Sequence, residues 1–392
     1  MKSEWVAAER VEEVRAAARG WKRAGAIGEG TFEEILRRHP EPRTLPAPLW
    51  RVLFFVLGSF VLLALSAAFL VGLSPGARDA WVLCAVLGAG FIAIAEVQAR
   101  SPAMALRGGV EAASFWGIVL LVGALFLSFE EDLHLSEPSG PNLVLLGGAA
   151  LFAAATWRWG NPAFALFSSV LGFVLLARAP HGRLLWIFGG VLLAALAERF
   201  LDRPSWAPSH RASAAAVALG AIAAVYAAVN LWSLDHHSVE ALRGRTWDVA
   251  GPSRGERAVA IAATALLPVL LVAAGLRARR RVFLDAGLVL AALSLVTLRA
   301  YVRIADLWAV LAAAGALLVG GALAVNRWLG RGRDGERNGF TADALFSDAE
   351  RLRALEIAPV LAAHSPGGRP PDEPGFSGGG GSFGGGGAGS SW

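Results

Sequence analysis

The sequence is short of the residues from which soluble catalytic and metal centres are built. It has one cysteine, Cys84, standing inside an apolar run, so neither a disulfide framework nor a cysteine metal site can form within one chain. Lysine occurs only at Lys2 and Lys22, and the arginine bias in its place points to a GC-rich bacterial genome. Charged residues make up 17% of the 392 positions, where a soluble domain carries about a quarter. No Walker loop or HExxH pattern is present. The C-terminal glycines are no phosphate loop either, because no strand precedes them, no helix follows and no lysine is at hand. The sequence therefore predicts no catalytic residues, no cofactor and no enzyme. A basic stripe interleaved with aromatics is also missing outside the apolar runs, which argues against a nucleic-acid partner despite the net charge of +5.

What the chain has in abundance is apolar length. Crossing roughly 30 Å of hydrocarbon takes about 17–25 residues, and ten segments qualify: 52–73, 80–98, 111–128, 142–157, 162–177, 184–198, 213–233, 257–276, 282–298 and 306–328. Four of these are short, so the count lies between nine and eleven. The predicted fold is an all-α, polytopic transmembrane helical bundle. It divides into a cytosolic helical hairpin (1–48), the bundle (49–330), a segment with a short amphipathic helix at 341–356 (331–363) and a disordered Gly-rich tail (364–392). Tryptophans near span ends, among them Trp50, Trp157, Trp186 and Trp232, suit the membrane–water interface. The first 48 residues hold no apolar core followed by a small-residue cleavage site, so the first span should act as an uncleaved anchor. Loop arginines divide almost evenly between the two sides. Those flanking the first and last spans, such as Arg37, Arg38, Arg331 and Arg333, place both termini in the cytosol by the positive-inside rule.

In the hairpin, Val11, Val14, Ala18 and Trp21 share one helical face. Thr31 and Glu34 form a T-x-x-E capping box for a second helix with Phe32, Ile35 and Leu36 on its apolar side. Within the spans ionisable groups are costly and mark function by default. The candidates are Glu96 and Glu111, which a tight 99–110 loop would bring together, Asp285, which Arg281 would neutralise at i, i+4, and Asn230, suited to hydrogen bonding between helices. For Glu96 and Glu111 the alternatives are a proton or cation path, or ion pairs with Arg100 and Arg107. In the loop after the seventh span, His236, His237 and Glu240 have ligand chemistry for zinc, but the spacing fits no dedicated motif and a solvated loop is the expectation. The acidic loop Glu130, Glu131, Asp132, His134, Glu137 has oxygen-rich cation chemistry. Small-residue ridges at Ala216, Gly220, Ala224 and at Ala312, Ala316, Gly320 permit close helix contact.

Two stretches carry resemblances. The run RGWKRAGAIGEGTFEEILRRHPEP, a helix, an AGAI turn and a second short helix ahead of many spans, resembles a bacterial family of polytopic membrane proteins of unknown function. The end FSGGGGSFGGGGAGSSW is similar to the Gly-rich tail of TPM-domain membrane proteins, although the TPM domain itself is missing. Neither resemblance implies catalytic residues. The expectation is an integral protein of the bacterial cytoplasmic membrane. Its partners would be the lipid bilayer and other proteins reached through hairpin and tail, in a scaffold, sensor or assembly role. The alternative is a transporter or channel for a small solute or ion.

Overall fold

The computed structural model describes residues 3–40 apart from 24, then 48–73, 76–100, 107–131, 139–242 apart from 202 and 204, 251–301 apart from 279, and scattered positions between 308 and 341. Met1–Pro46 with Trp50–Ile304 form one compact unit. Its helices are α1 (Ser3–Arg23), α2 (Glu29–Arg38), α3 (Pro48–Leu73), α4 (Ala77–Arg100), α5 (Arg107–Glu131), α6 (Ser139–Trp159), α7 (Pro162–Arg178), α8 (Gly182–Leu201), α9 (Pro208–Val229), α10 (Leu231–Asp235), α11 (Ser238–Ala241), α12 (Arg254–Ala278) and α13 (Arg281–Tyr301). In the second unit, helical positions recur between Trp308 and Trp328, and Glu336–Arg337 pairs antiparallel with Phe340–Thr341. The tenth predicted span thus falls largely outside the described residues, as do the acidic loop, the 341–356 helix and the Gly-rich tail.

Among the described residues eight helices, α3, α4, α5, α6, α8, α9, α12 and α13, are long and apolar enough to cross a membrane. The 17 residues of α7 reach only about 26 Å at 1.5 Å per residue. Large apolar side chains cover the outside: Val71 is 77% exposed, Phe188 70% and Val259 69%. Such a surface would aggregate in water and is at home in hydrocarbon. The first unit is an all-helical bundle with the outer surface of an integral membrane protein.

Ion pairs show which helix ends lie together. Arg51 of α3 bonds Glu111 of α5, Arg158 of α6 bonds Glu96 of α4, and Arg211 of α9 bonds Glu13 of α1. This hairpin end also carries the tight α6–α7 turn. There Gly160, at φ 67°, donates its N–H to Thr156 O, and Asn161 caps α7 by accepting from Ala163 N. A left-handed residue closing a helix is where glycine costs least.

The hairpin docks differently from the sequence reading. Val11 and Val14 are half-buried and Trp21 is exposed, while Trp5, Ala8 and Glu9 are buried with Ala18. Trp5 packs among Phe91, Ala95, Ala99 and Val110 of α4 and α5. Glu9 accepts from the N–H of Ser209, and Arg10 donates to Ser205 O. The bundle supplies partners that periodicity within α1 could not reveal. The capping box is likewise replaced: α2 begins at Glu29 behind Gly28, and Glu34 pairs with Arg37 and Arg38. Lys22 bonds Glu29 at 2.6 Å, which extends the helix past Thr31 toward α1.

Candidate functional site

The predicted seventh span does not run unbroken to residue 233. Helix α9 stops at Val229, Asn230 is extended (φ −67°, ψ 135°), and α10 restarts at Leu231. An asparagine side chain can compete for backbone N–H groups and so divide a helix. Asn230 Oδ1 accepts from the N–H of Trp232 (2.9 Å) and Ser233 (3.3 Å). Its Nδ2 donates to Thr297 Oγ1 of α13 at 3.2 Å, the interhelical bond expected of it. Irregular backbone at membrane depth is tolerated only where protein groups satisfy it, and neighbouring helices do so here.

The N–H of Leu231 donates to Thr264 Oγ1 of α12 at 3.0 Å. Four residues beyond Thr264 lies Pro268, inside α12 and buried. Proline has no N–H, so the carbonyl of Thr264 loses its helical partner. The Ser294 hydroxyl of α13 donates to that carbonyl at 2.7 Å. Since this uses the single hydroxyl proton of Ser294, the contact with Tyr226 at 2.9 Å must have Tyr226 Oη as donor. Two backbone defects, a helix break and a proline, are thus sealed by one another's surroundings. Tyr226, Asn230, Ser233, Thr264 and Ser294 are all buried.

Ser294→Ala should therefore cost about 1–3 kcal/mol, the penalty of an unpaired buried carbonyl, in denaturant unfolding of the micelle-held protein. In a Pro268→Ala background Thr264 O recovers an N–H, and the cost should fall by about 1 kcal/mol. An undiminished cost would refute the linkage.

Beside the break, Arg183 at the start of α8 clamps three elements. It donates to both oxygens of Glu240 on α11 (2.9 and 2.7 Å), to Ala228 O in the last turn of α9 (2.6 Å) and to Ser233 O of α10 (3.1 Å). A cation at a helix C-terminus also meets the negative end of the helix dipole. Burial pushes the Glu240 carboxyl up, but the Arg183 hydrogen bond, a backbone amide and the charges of Arg183 and His237 outweigh it. The carboxyl is held below its usual range.

The zinc candidates are otherwise engaged. His236 stacks on Trp232 with ring centres 4.4 Å apart and sets Nδ1 2.9 Å from Trp232 O. His237 takes a left-handed φ of 49° as it leads into α11. Among the described residues no three His, Cys, Asp or Glu side chains converge on one metal position. Glu96 and Glu111 are held by different arginines: Glu96 by Arg158 and by Arg100 at 3.4 Å, Glu111 by Arg51 at 2.9 Å. Asp285 has a partner as well, and its predicted pairing with Arg281 lies outside the described residues. The sequence signalled Asn230 but not Arg183, which reads as one more loop arginine, nor the join through Thr264 and Ser294. No family model, curated protein or solved structure matches the chain, so the reading of function rests on this geometry.

Proposed function

We propose that the chain is a non-enzymatic assembly scaffold of the bacterial cytoplasmic membrane, with the N-terminal hairpin as its cytosolic docking module. The observation that carries this reading is the unequal treatment of the hairpin's two helices. Trp5, Glu9, Arg10 and Glu13 fix α1 to the bundle, while α2 has no buried residue. A rigidly held helix with a free face offers a pre-organised surface, which lowers the ordering cost of binding. Trp21, 42% exposed beside the α1–α2 turn, is the residue type that anchors protein interfaces. The carboxylates of the spans support the same reading, since Glu96 and Glu111 tie helices together through arginine and carry no spare charge for a moving ion.

Crosslinking the full chain in membranes, followed by pull-down and mass spectrometry, tests this. Trp21→Ala combined with Arg37→Glu and Arg38→Glu alters only exposed side chains and should abolish recovery of the protein captured by the unmodified chain. Unchanged recovery would defeat the proposal. The broken α9 opposite Pro268 favours a second reading, because discontinuous helices line the sites of transporters. A solute uptake lost in both Asn230→Ala and Glu96→Gln cells would move the assignment to transport.

A further inference from the structure

We propose that the cleft between α6, α7, α8 and α9 holds an acyl chain of an anionic phospholipid, whose phosphate is taken by Arg199 and Arg203. The cleft has a volume of about 570 Å³ and opens to the outside of the bundle, within the roughly 300–1,000 Å³ typical of ligand sites. Its walls include Ala149 and Ala153 of α6, Gly172 of α7, Gly189 and Leu196 of α8 and Val217 of α9. Three hydroxyls face it, and all are already used. Thr156 donates to Phe152 O, Ser168 to Ala149 O and Ser169 to Ala165 O. A polar solute would find no free donor here, whereas a hydrocarbon chain needs none. Along α7 the walls run from Ala165 to Leu176, about 16 Å at 1.5 Å per residue and therefore close to one leaflet of a roughly 30 Å core.

The hairpin end of the cleft supplies the charge complementarity. Thr156 and Leu196 line that end, and Trp157 and Phe200 follow them on the same helices. Leu192, Leu196, Arg199 and Phe200 keep the spacing of one helical face. Arg203 lies 5.4 Å from the Phe200 ring centre, Phe200 stacks 4.7 Å from Trp206, and Trp206 meets Trp157 edge-on at 5.9 Å. Clustered indoles at a span end mark headgroup level. Neighbouring arginines at this end are neutralised, Arg158 by Glu96, Arg211 by Glu13 and Arg280 by Glu198. Arg199 and Arg203 are exposed and have no carboxylate partner among the described residues. Two guanidiniums without a carboxylate partner among the described residues, one turn and more beyond the end of an apolar slot, fit a phosphate carried on a hydrocarbon tail.

The test uses the full chain in neutral detergent with phosphatidylglycerol or phosphatidylcholine added at equal mole ratio, read by native mass spectrometry and thermal unfolding. One phosphatidylglycerol should be retained per chain and raise the unfolding midpoint, and phosphatidylcholine should do neither. Arg199→Gln and Arg203→Gln should each weaken retention roughly fivefold. Gly172→Phe should evict the lipid while leaving the lipid-free midpoint unchanged, because a Cβ at Gly172 meets nothing within 4 Å. Equal retention of both lipids would overturn the proposal, as would phosphatidylglycerol binding that survives the two arginine changes. Stabilisation by inorganic phosphate alone, matching that by the lipid, would overturn it in favour of a free-anion site. Should Gly172→Phe fail to fold, the exposed arginine variants decide the matter by themselves.

Discussion

Replacing Arg183 with leucine is expected to destabilise the bundle by about 3–5 kcal/mol, the cost of removing one partner from a buried ion pair. Both members are largely withdrawn from solvent, with side-chain exposures of 16% for Arg183 and 18% for Glu240. The loss reaches beyond the pair, because Ala228 O and Ser233 O also lose their donor. With it goes the clamp that holds α9, α10 and α11 in register around the Asn230 break. Arg183→Lys should recover only part of the stability, since an ammonium cannot bridge a carboxylate bidentately and reach two carbonyls besides. The double variant Arg183→Leu, Glu240→Leu should be less destabilised than Arg183→Leu alone, because no charge is left buried without its partner. Denaturant unfolding in micelles decides this. A single-variant cost below about 1 kcal/mol, the range of exposed pairs, would show the clamp to be incidental. Glu240 is held below its usual range in the folded state, so its stabilising contribution is present above the unfolded-state value of about 4.3. That contribution is lost as pH falls through the lower folded-state value.

How far the sequence could foresee this site depends on the kind of interaction involved. Span composition is local, so the first nine predicted spans each meet a helix. Helix α9 was the exception in extent: residues 213–233 read as one apolar run because Ala and Leu continue across Asn230. Only the side-chain cap on Trp232 and Ser233 shows where the helix divides. A proline within an apolar span, as Pro268 is in α12, marks a helix defect by itself. Its remedy was not legible, since Ser294 lies on another helix and the pairing depends on how α12 and α13 are set against each other. The same holds for Glu96, where a sequence neighbour, Arg100, was foreseeable, but the closer partner, Arg158, comes from α6. The ridge Ala216, Gly220, Ala224 was read correctly as a contact surface. A Cβ at Gly220 would meet Leu166 of α7 at 3.1 Å, and Ala224 is buried with Phe173 and Trp186. The glycine-to-glycine contact between α4 and α5 went unmarked because it joins one glycine from each helix and repeats in neither.

That contact gives the second large effect. Gly117→Leu is expected to separate α4 from α5 at a cost above the roughly 1–3 kcal/mol typical of overpacking. A Cβ at Gly117 would come within 2.9 Å of Gly88 O, and one at Gly88 would stand 2.9 Å from Gly117 O. Both obstacles are helical backbone, which cannot turn aside as a side chain can. Gly117→Ala should already cost about 1–3 kcal/mol. Gly123→Ala on the same helix should instead be neutral or stabilising by up to about 1 kcal/mol, from helix propensity alone, because a Cβ there meets nothing within 4 Å. Denaturant unfolding of the three variants separates steric exclusion from a general dislike of substitution in α5; equal losses at Gly117→Ala and Gly123→Ala would refute the close-contact account. The damage should also travel to the hairpin end. Trp5 of α1 sits among Phe91 and Ala95 of α4 and Val110 and Ala113 of α5, so forcing these helices apart opens its seat. Limited proteolysis within residues 3–23 should then speed up in Gly117→Leu while Gly123→Ala stays resistant. The spacing of two membrane helices would thereby govern whether the hairpin is held in place for a partner.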